Sequence, residues 1–73
     1  MQELINRHGL IEMRNNTFLV GTVINNVIHG FALVLYNACR FYEGHFQNNA
    51  KHGFGLELMP NGIYLGHYVN NKP

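Results

Sequence analysis

The chain has 73 residues, a formal net charge of +1, and 47% hydrophobic against 12% charged residues. A disordered tail would be charge-rich and poor in aromatics, and a typical nucleic-acid binder would show a strong basic excess, so both classes are disfavoured. A chain this short buries only roughly 60% of its extended surface and has little left to wall a catalytic cleft, which favours a binding module over an enzyme.

The stretch Met1–Gly9 carries charges and no long apolar core, so it does not read as a secretory signal peptide. Residues 1–7 are expected to form an N-terminal arm, either a short helical turn or extended. The longest apolar run, Phe31–Tyr36, is strand-sized and far below the roughly 18–20 residues of a membrane span. Cys39 is the single cysteine. Small secreted domains of this length carry several, so a reducing intracellular compartment is expected, cytoplasmic unless an organelle imports the chain.

From His8 onward the chain repeats itself. Gly21, Gly44 and Gly66 correspond, as do the pairs Asn25-Asn26, Asn48-Asn49 and Asn70-Asn71. His29-Gly30-Phe31 returns as His52-Gly53-Phe54, with His8-Gly9 as an earlier trace. Leu33 matches Leu56, Leu35 matches Leu58, and Val23, Phe46 and Tyr68 match one another. The expected organisation is a half repeat at 8–18, full repeats at 19–41 and 42–63, and a half repeat at 64–73.

Each repeat holds two apolar stretches of strand length. Tyr42, Gly44 and Phe46 share one parity, and Phe54, Leu56 and Leu58 share another, the period-two pattern of half-buried strands. Asn48–Gly53 reads as a polar turn segment, because Asn and Gly tolerate left-handed backbone. Pro60-Asn61-Gly62 reads as an Asn-Gly hairpin turn. Glycine weakens a strand unless something needs the space, so Gly44 and Gly55 predict aromatic rings lying on bare backbone. The expected fold is all-β, a single-layer antiparallel meander open at both edges.

The run Tyr42-Glu-Gly44-His-Phe46-Gln-Asn48-Asn-Ala-Lys-His52-Gly53-Phe-Gly55, continuing through Pro60-Asn61-Gly62-Ile-Tyr64-Leu-Gly66-His-Tyr68, resembles a MORN repeat running into the next. The first repeat is degenerate, with Leu19 for the tyrosine, Val23 for the aromatic and Ala32 for the second glycine. Its closing turn, Asn37-Ala38-Cys39-Arg40, lacks Asn-Gly and is one residue longer. The resemblance implies tandem MORN-type hairpins, and a role as a protein–protein scaffold within large assemblies of cytoskeletal or ciliary type. Binding of anionic phosphoinositide lipids at a membrane surface is the alternative it implies.

No catalytic, cofactor-binding or metal residues are expected. His8, His29 and His52 recur just before a glycine, where a turn hydrogen bond is the simplest duty. His45 and His67 fall on the other parity from Tyr42 and Tyr64 and should face solvent. No zinc-type ligand spacing is present. Cys39 has no orienting partners for nucleophilic work, and Glu43 and Glu57 read as solvent-facing strand residues with no shared pocket. The glycines are spaced for strands and not for phosphate loops. Arg7, Arg14, Arg40, Lys51 and Lys72 are scattered, whereas attraction to an anionic leaflet needs a cluster. The structural stripe is expected at Tyr42, Gly44, Phe46, Gly53, Phe54, Gly55, Tyr64, Gly66 and Tyr68. The last strand, with Ile63, Leu65, His67 and Val69, is the expected interaction edge, since unpaired strand edges accept another chain. Partners are thus other protein chains, met by sheet edge or sheet face, with membrane lipid as the weaker case.

Overall fold

The computed structural model of the chain describes residues 6–73. The strands are β1 (Arg7–Glu12), β2 (Phe18–Ile24), β3 (Val27–Ile28), β4 (Gly30–Asn37), β5 (Arg40–Gln47), β6 (Ala50–Met59) and β7 (Gly62–Tyr68). They form one 7-stranded sheet in the order β1-β2-β4-β5-β6-β7, with β3 also paired to β2. Every pairing is antiparallel. The single-layer meander open at both edges is therefore the observed fold. Most of the expected arm lies outside the described residues, and Arg7 already belongs to β1, opposite Val23.

Asparagine sets the turns. Both members of Asn25-Asn26, Asn48-Asn49 and Asn70-Asn71 have positive φ, between 49° and 71°. That is the signature of a type I′ turn, whose twist matches the flanking strands, and Asn is the side chain that tolerates it best after glycine. In the last two pairs the second asparagine also ties its turn to the one before. Asn49 Oδ1 accepts the Ile28 N–H at 2.8 Å, and Asn71 Oδ1 accepts the Lys51 N–H at 2.8 Å.

Three local expectations are corrected. Only Asn48-Asn49 forms the turn, and Ala50–Gly53 already belongs to β6. At 60–62 the corner residues are Pro60 and Asn61, and Gly62 pairs with Met59. Proline's fixed φ suits the first corner of an ordinary turn, so the turn starts one residue earlier than an Asn-Gly reading places it. The longer Asn37–Arg40 connection closes as a tight turn in which Asn37 Oδ1 accepts the Cys39 N–H, and the extra residue becomes a bulge at Tyr36.

β1 also departs from the repeat. By sequence Ile11 corresponds to Ala32 and Gly55, which lie opposite Gly44 and Gly66. Ile11 instead faces Leu19, and Gly9 faces Gly21. The loop between β1 and β2, residues 13–17, is longer than the two-residue turns that close the later hairpins. The strand slips by two residues, which keeps its buried face buried.

Candidate functional site: two unlike faces of one sheet

The register sorts the side chains into rows. On one face Ile11, Leu19, Val34, Tyr42, Glu57 and Tyr64 follow each other across the sheet. Beside them runs a column of residues with little or no side chain: Gly9, Gly21, Ala32, Gly44, Gly55 and Gly66. The rings lie along the sheet and not away from it. The Tyr42 hydroxyl crosses Gly44 and Gly55 to donate to the His45 carbonyl at 2.9 Å, and a Cβ on Gly55 would strike the Tyr42 ring. Tyr64 repeats this over Gly66, donating to the His67 carbonyl at 2.8 Å. Phe46, Tyr42, Tyr68 and Tyr64 pack edge to face with centroids 5.2 Å apart. Leu19, Tyr42 and Tyr68 are fully buried. This is a core one layer thick, made by rings filling space that glycines leave.

A charged cluster sits inside that core. Glu57 is 4% exposed and Lys51 8%, with Lys51 Nζ 3.0 Å from Glu57 Oε1. Tyr68 donates to the same oxygen at 2.7 Å, and Arg40 lies 3.5 Å from Oε2. The Lys51 ammonium stands 5.3 to 5.8 Å from the ring centroids of Tyr36, Tyr42 and Tyr68, at cation–π distance. Burial alone would raise the Glu57 pKa. The hydrogen bonds from Tyr68 and Lys51, with the charges of Lys51 and Arg40, outweigh it and hold the carboxyl below its ordinary value. The cluster is a satisfied structural ion pair, not an acid–base pair, because each charge is already matched. Among the described residues no group of His, Cys, Asp and Glu gathers to hold a metal ion.

The opposite face is apolar, and among the described residues nothing covers it. One row reads Leu10, Val20, Leu33, Glu43, Leu56, Leu65, and the next reads Glu12, Phe18, Leu35, Phe41, Leu58, Ile63. Phe31 packs edge-on to His45 at 5.4 Å and Phe54 to His67 at 5.5 Å along its border. Phe31, Glu43, His45, Phe54, Leu56 and Leu65 line an open groove of about 330 Å³ on this face.

Residues 42–63 match the family model of the MORN repeat. This stretch is similar to a MORN repeat. MORN repeats are non-enzymatic modules that in general bind proteins or membrane lipids. No curated protein matches the chain at a significant level.

Within this MORN-like stretch and its flanks, the expected stripe is sorted as follows. Tyr42, Gly44, Phe46, Gly55, Tyr64, Gly66 and Tyr68 gather on the core face. Phe54 does not. It is 51% exposed and lies on the apolar face, because its register partner is His67 and not a tyrosine. Gly53 has φ +92° and serves the backbone in place of a ring. Glu57 is buried, against the expectation of a solvent-facing residue, since it lies opposite Tyr42 and Tyr64. Lys51 likewise points inward. His8 bonds the Thr22 hydroxyl at 2.7 Å, and the His52 Nδ1 is buried without a partner, so a shared turn hydrogen bond is not what the recurring histidines have in common. Ile63, Leu65, His67 and Val69 are exposed, the first three on edge strand β7 and Val69 just beyond it. The salt-bridged cluster was invisible to sequence reasoning; the only available signal was that Lys51 and Glu57 share a parity within one strand.

Proposed function

We propose that the chain is a non-catalytic protein–protein interaction module, serving as a small structural subunit of a larger assembly, of cytoskeletal or ciliary type as the family resemblance suggests. The observation that carries this reading is the continuous apolar face, two rows deep across the sheet, on which no described residue packs. Patches of that extent mark interaction sites, whereas scattered exposed apolar residues do not.

The charge pattern selects the partner's chemistry. Glu43 sits centrally in the groove and has no cation bonded to it among the described residues, whereas Glu57 engages both Lys51 and Arg40. The fitting occupant is an amphipathic protein segment whose apolar residues meet Leu33, Leu56 and Leu65 and whose Lys or Arg meets Glu43. An anionic lipid surface fits less well. The charges in the two rows are Glu12 and Glu43, and Lys51 and Arg40 belong to the other face.

The test uses the intact chain and two ~18-residue amphipathic helical peptides, long enough to lie across the sheet and differing only in one central Arg or Glu. The Arg peptide should shift the NMR signals of Phe31, Phe54, Leu56 and Leu65 and bind roughly fivefold tighter than the Glu peptide, with the order reversed in Glu43→Lys. Absence of binding by either peptide, or salt-sensitive capture on phosphatidylserine vesicles instead, would overturn it.

A further inference from the structure

We propose that copies of this chain join head to tail, with β7 of one copy pairing with β1 of the next. This uses the edges of the sheet and stands apart from the reading of its apolar face. Strands of two sequence types alternate through the fold. β2, β5 and β7 carry the repeat-equivalent glycines Gly21, Gly44 and Gly66, while the His-Gly steps 8-9, 29-30 and 52-53 belong to β1, β4 and β6 and their entries. Neighbours along the sheet are always of opposite type. One open edge is therefore of the first type, the other of the second, and β7 against β1 is the same kind of junction as β5 against β6. Because all pairings are antiparallel, a copy displaced along the sheet presents β1 in the required sense.

The register follows from the glycine column. The slip in β1 places Gly9 there, and a Cβ built on Gly9 meets nothing within 4 Å. At Gly55 the equivalent space is filled by the Tyr42 ring. Tyr64 lies over Gly66 at the β7 edge, with no strand beyond it among the described residues. Setting Gly66 opposite Gly9 of the next copy gives Tyr64 a second glycine, as Tyr42 has two. The same register sets Leu65, 62% exposed, against Leu10, 71% exposed, and continues the row that runs from Leu10 to Leu65 within one copy. It also sets Arg7 opposite Tyr68, as Lys51 stands opposite Phe46. The repeat-aligned alternative would put Ile11 beside Gly66, where Tyr64 leaves no room for a side chain. Joining unlike edges leaves a free β1 and a free β7 on every dimer, so further copies add and the assembly grows beyond the dimer as concentration rises.

Leu10→Lys and Leu65→Lys are exposed changes that block one edge each, and preserved amide NMR spectra establish that both variants fold. In sedimentation velocity the wild-type mass should rise from the 8.4 kDa monomer through dimer and beyond as concentration increases. Each variant alone should stay monomeric, and an equal mixture should stop at the dimer, since it retains one free β7 and one free β1. A wild-type chain that stays monomeric to millimolar concentration would overturn the proposal. So would association of either variant alone, the mark of like-with-like edges or of face stacking, or a mixture that stays monomeric while the wild type assembles.

Discussion

The Asn71 side chain accepts the backbone N–H of Lys51 at 2.8 Å, holding the last turn against the entry of β6. Asn49 does the same for Ile28, and its amide also donates to the Asn26 carbonyl at 3.1 Å. Asn49 and Asn71 thus have two duties, positive φ and a bond between turns, and glycine can perform only the first. Asn49→Ala loses both and should cost about 1–3 kcal/mol, whereas Asn49→Gly should cost about 0.5–1.5 kcal/mol. Urea unfolding of the two variants checks the order. Equal losses would remove the second duty.

The Lys51–Glu57 pair should show the asymmetry of buried ions. Lys51→Met leaves a carboxylate in the core with Arg40 as its remaining, more exposed cation, and Glu57→Gln leaves an ammonium among three tyrosines. Each single change should destabilise by about 3–5 kcal/mol, and the double change by less than the sum. A thermal-unfolding double-mutant cycle reads this directly.

Stability should fall at both ends of the pH scale for reasons in one cluster. The native Glu57 carboxyl sits below its ordinary 4.5. It binds its proton less tightly than the unfolded chain does, so its contribution is complete above 4.5 and is lost as the pH falls through the lower native value. Burial, then the hydrogen bond to Glu57 and that residue's charge, push the Tyr68 hydroxyl well above its ordinary 10.0. That contribution is complete below 10.0 and is lost as the pH rises through the raised value. Tyr68→Phe should therefore reduce the alkaline limb, leaving the part owed to Tyr42, whose hydroxyl burial also raises, and weaken the acid limb, measured as the urea midpoint against pH.

The two sides of the sheet predict opposite outcomes for similar ring deletions. Tyr42→Ala removes a fully buried ring and should cost about 3–5 kcal/mol. Phe54→Ala removes a half-exposed one and should cost about 1 kcal/mol or less. Gly55→Ala should be as damaging as the tyrosine deletion, because the new methyl meets the Tyr42 ring, which is fully buried and has no room to retreat. Chemical denaturation ranks the three. A large loss for Phe54→Ala would move that ring back into the core.

The meander, the 22- or 23-residue step and the ring-over-glycine packing were legible in the sequence, because hydrophobic alternation and turn chemistry act over a few residues. Tyr42 and Gly44 lie two apart on one strand, so their shared face follows from parity alone. Phe54 shows the limit. Its parity within β6 is plain, but which of the two faces that parity occupies depends on the pairing of β6 with β5 and β7. The same holds for Glu57, which looks like a surface residue until Tyr42 and Tyr64 stand on either side of it.

What the sequence determined by itself was therefore local: where strands run, where they turn, and which positions must be bare. Tertiary structure alone decided the two-residue slip of β1, the inward turn of Lys51 and Glu57, and the stretch of leucine and phenylalanine left in the open on one side. These are properties of register. A shift of pairing leaves every strand's own pattern intact while changing which side chains meet, and no single strand carries the information that fixes it.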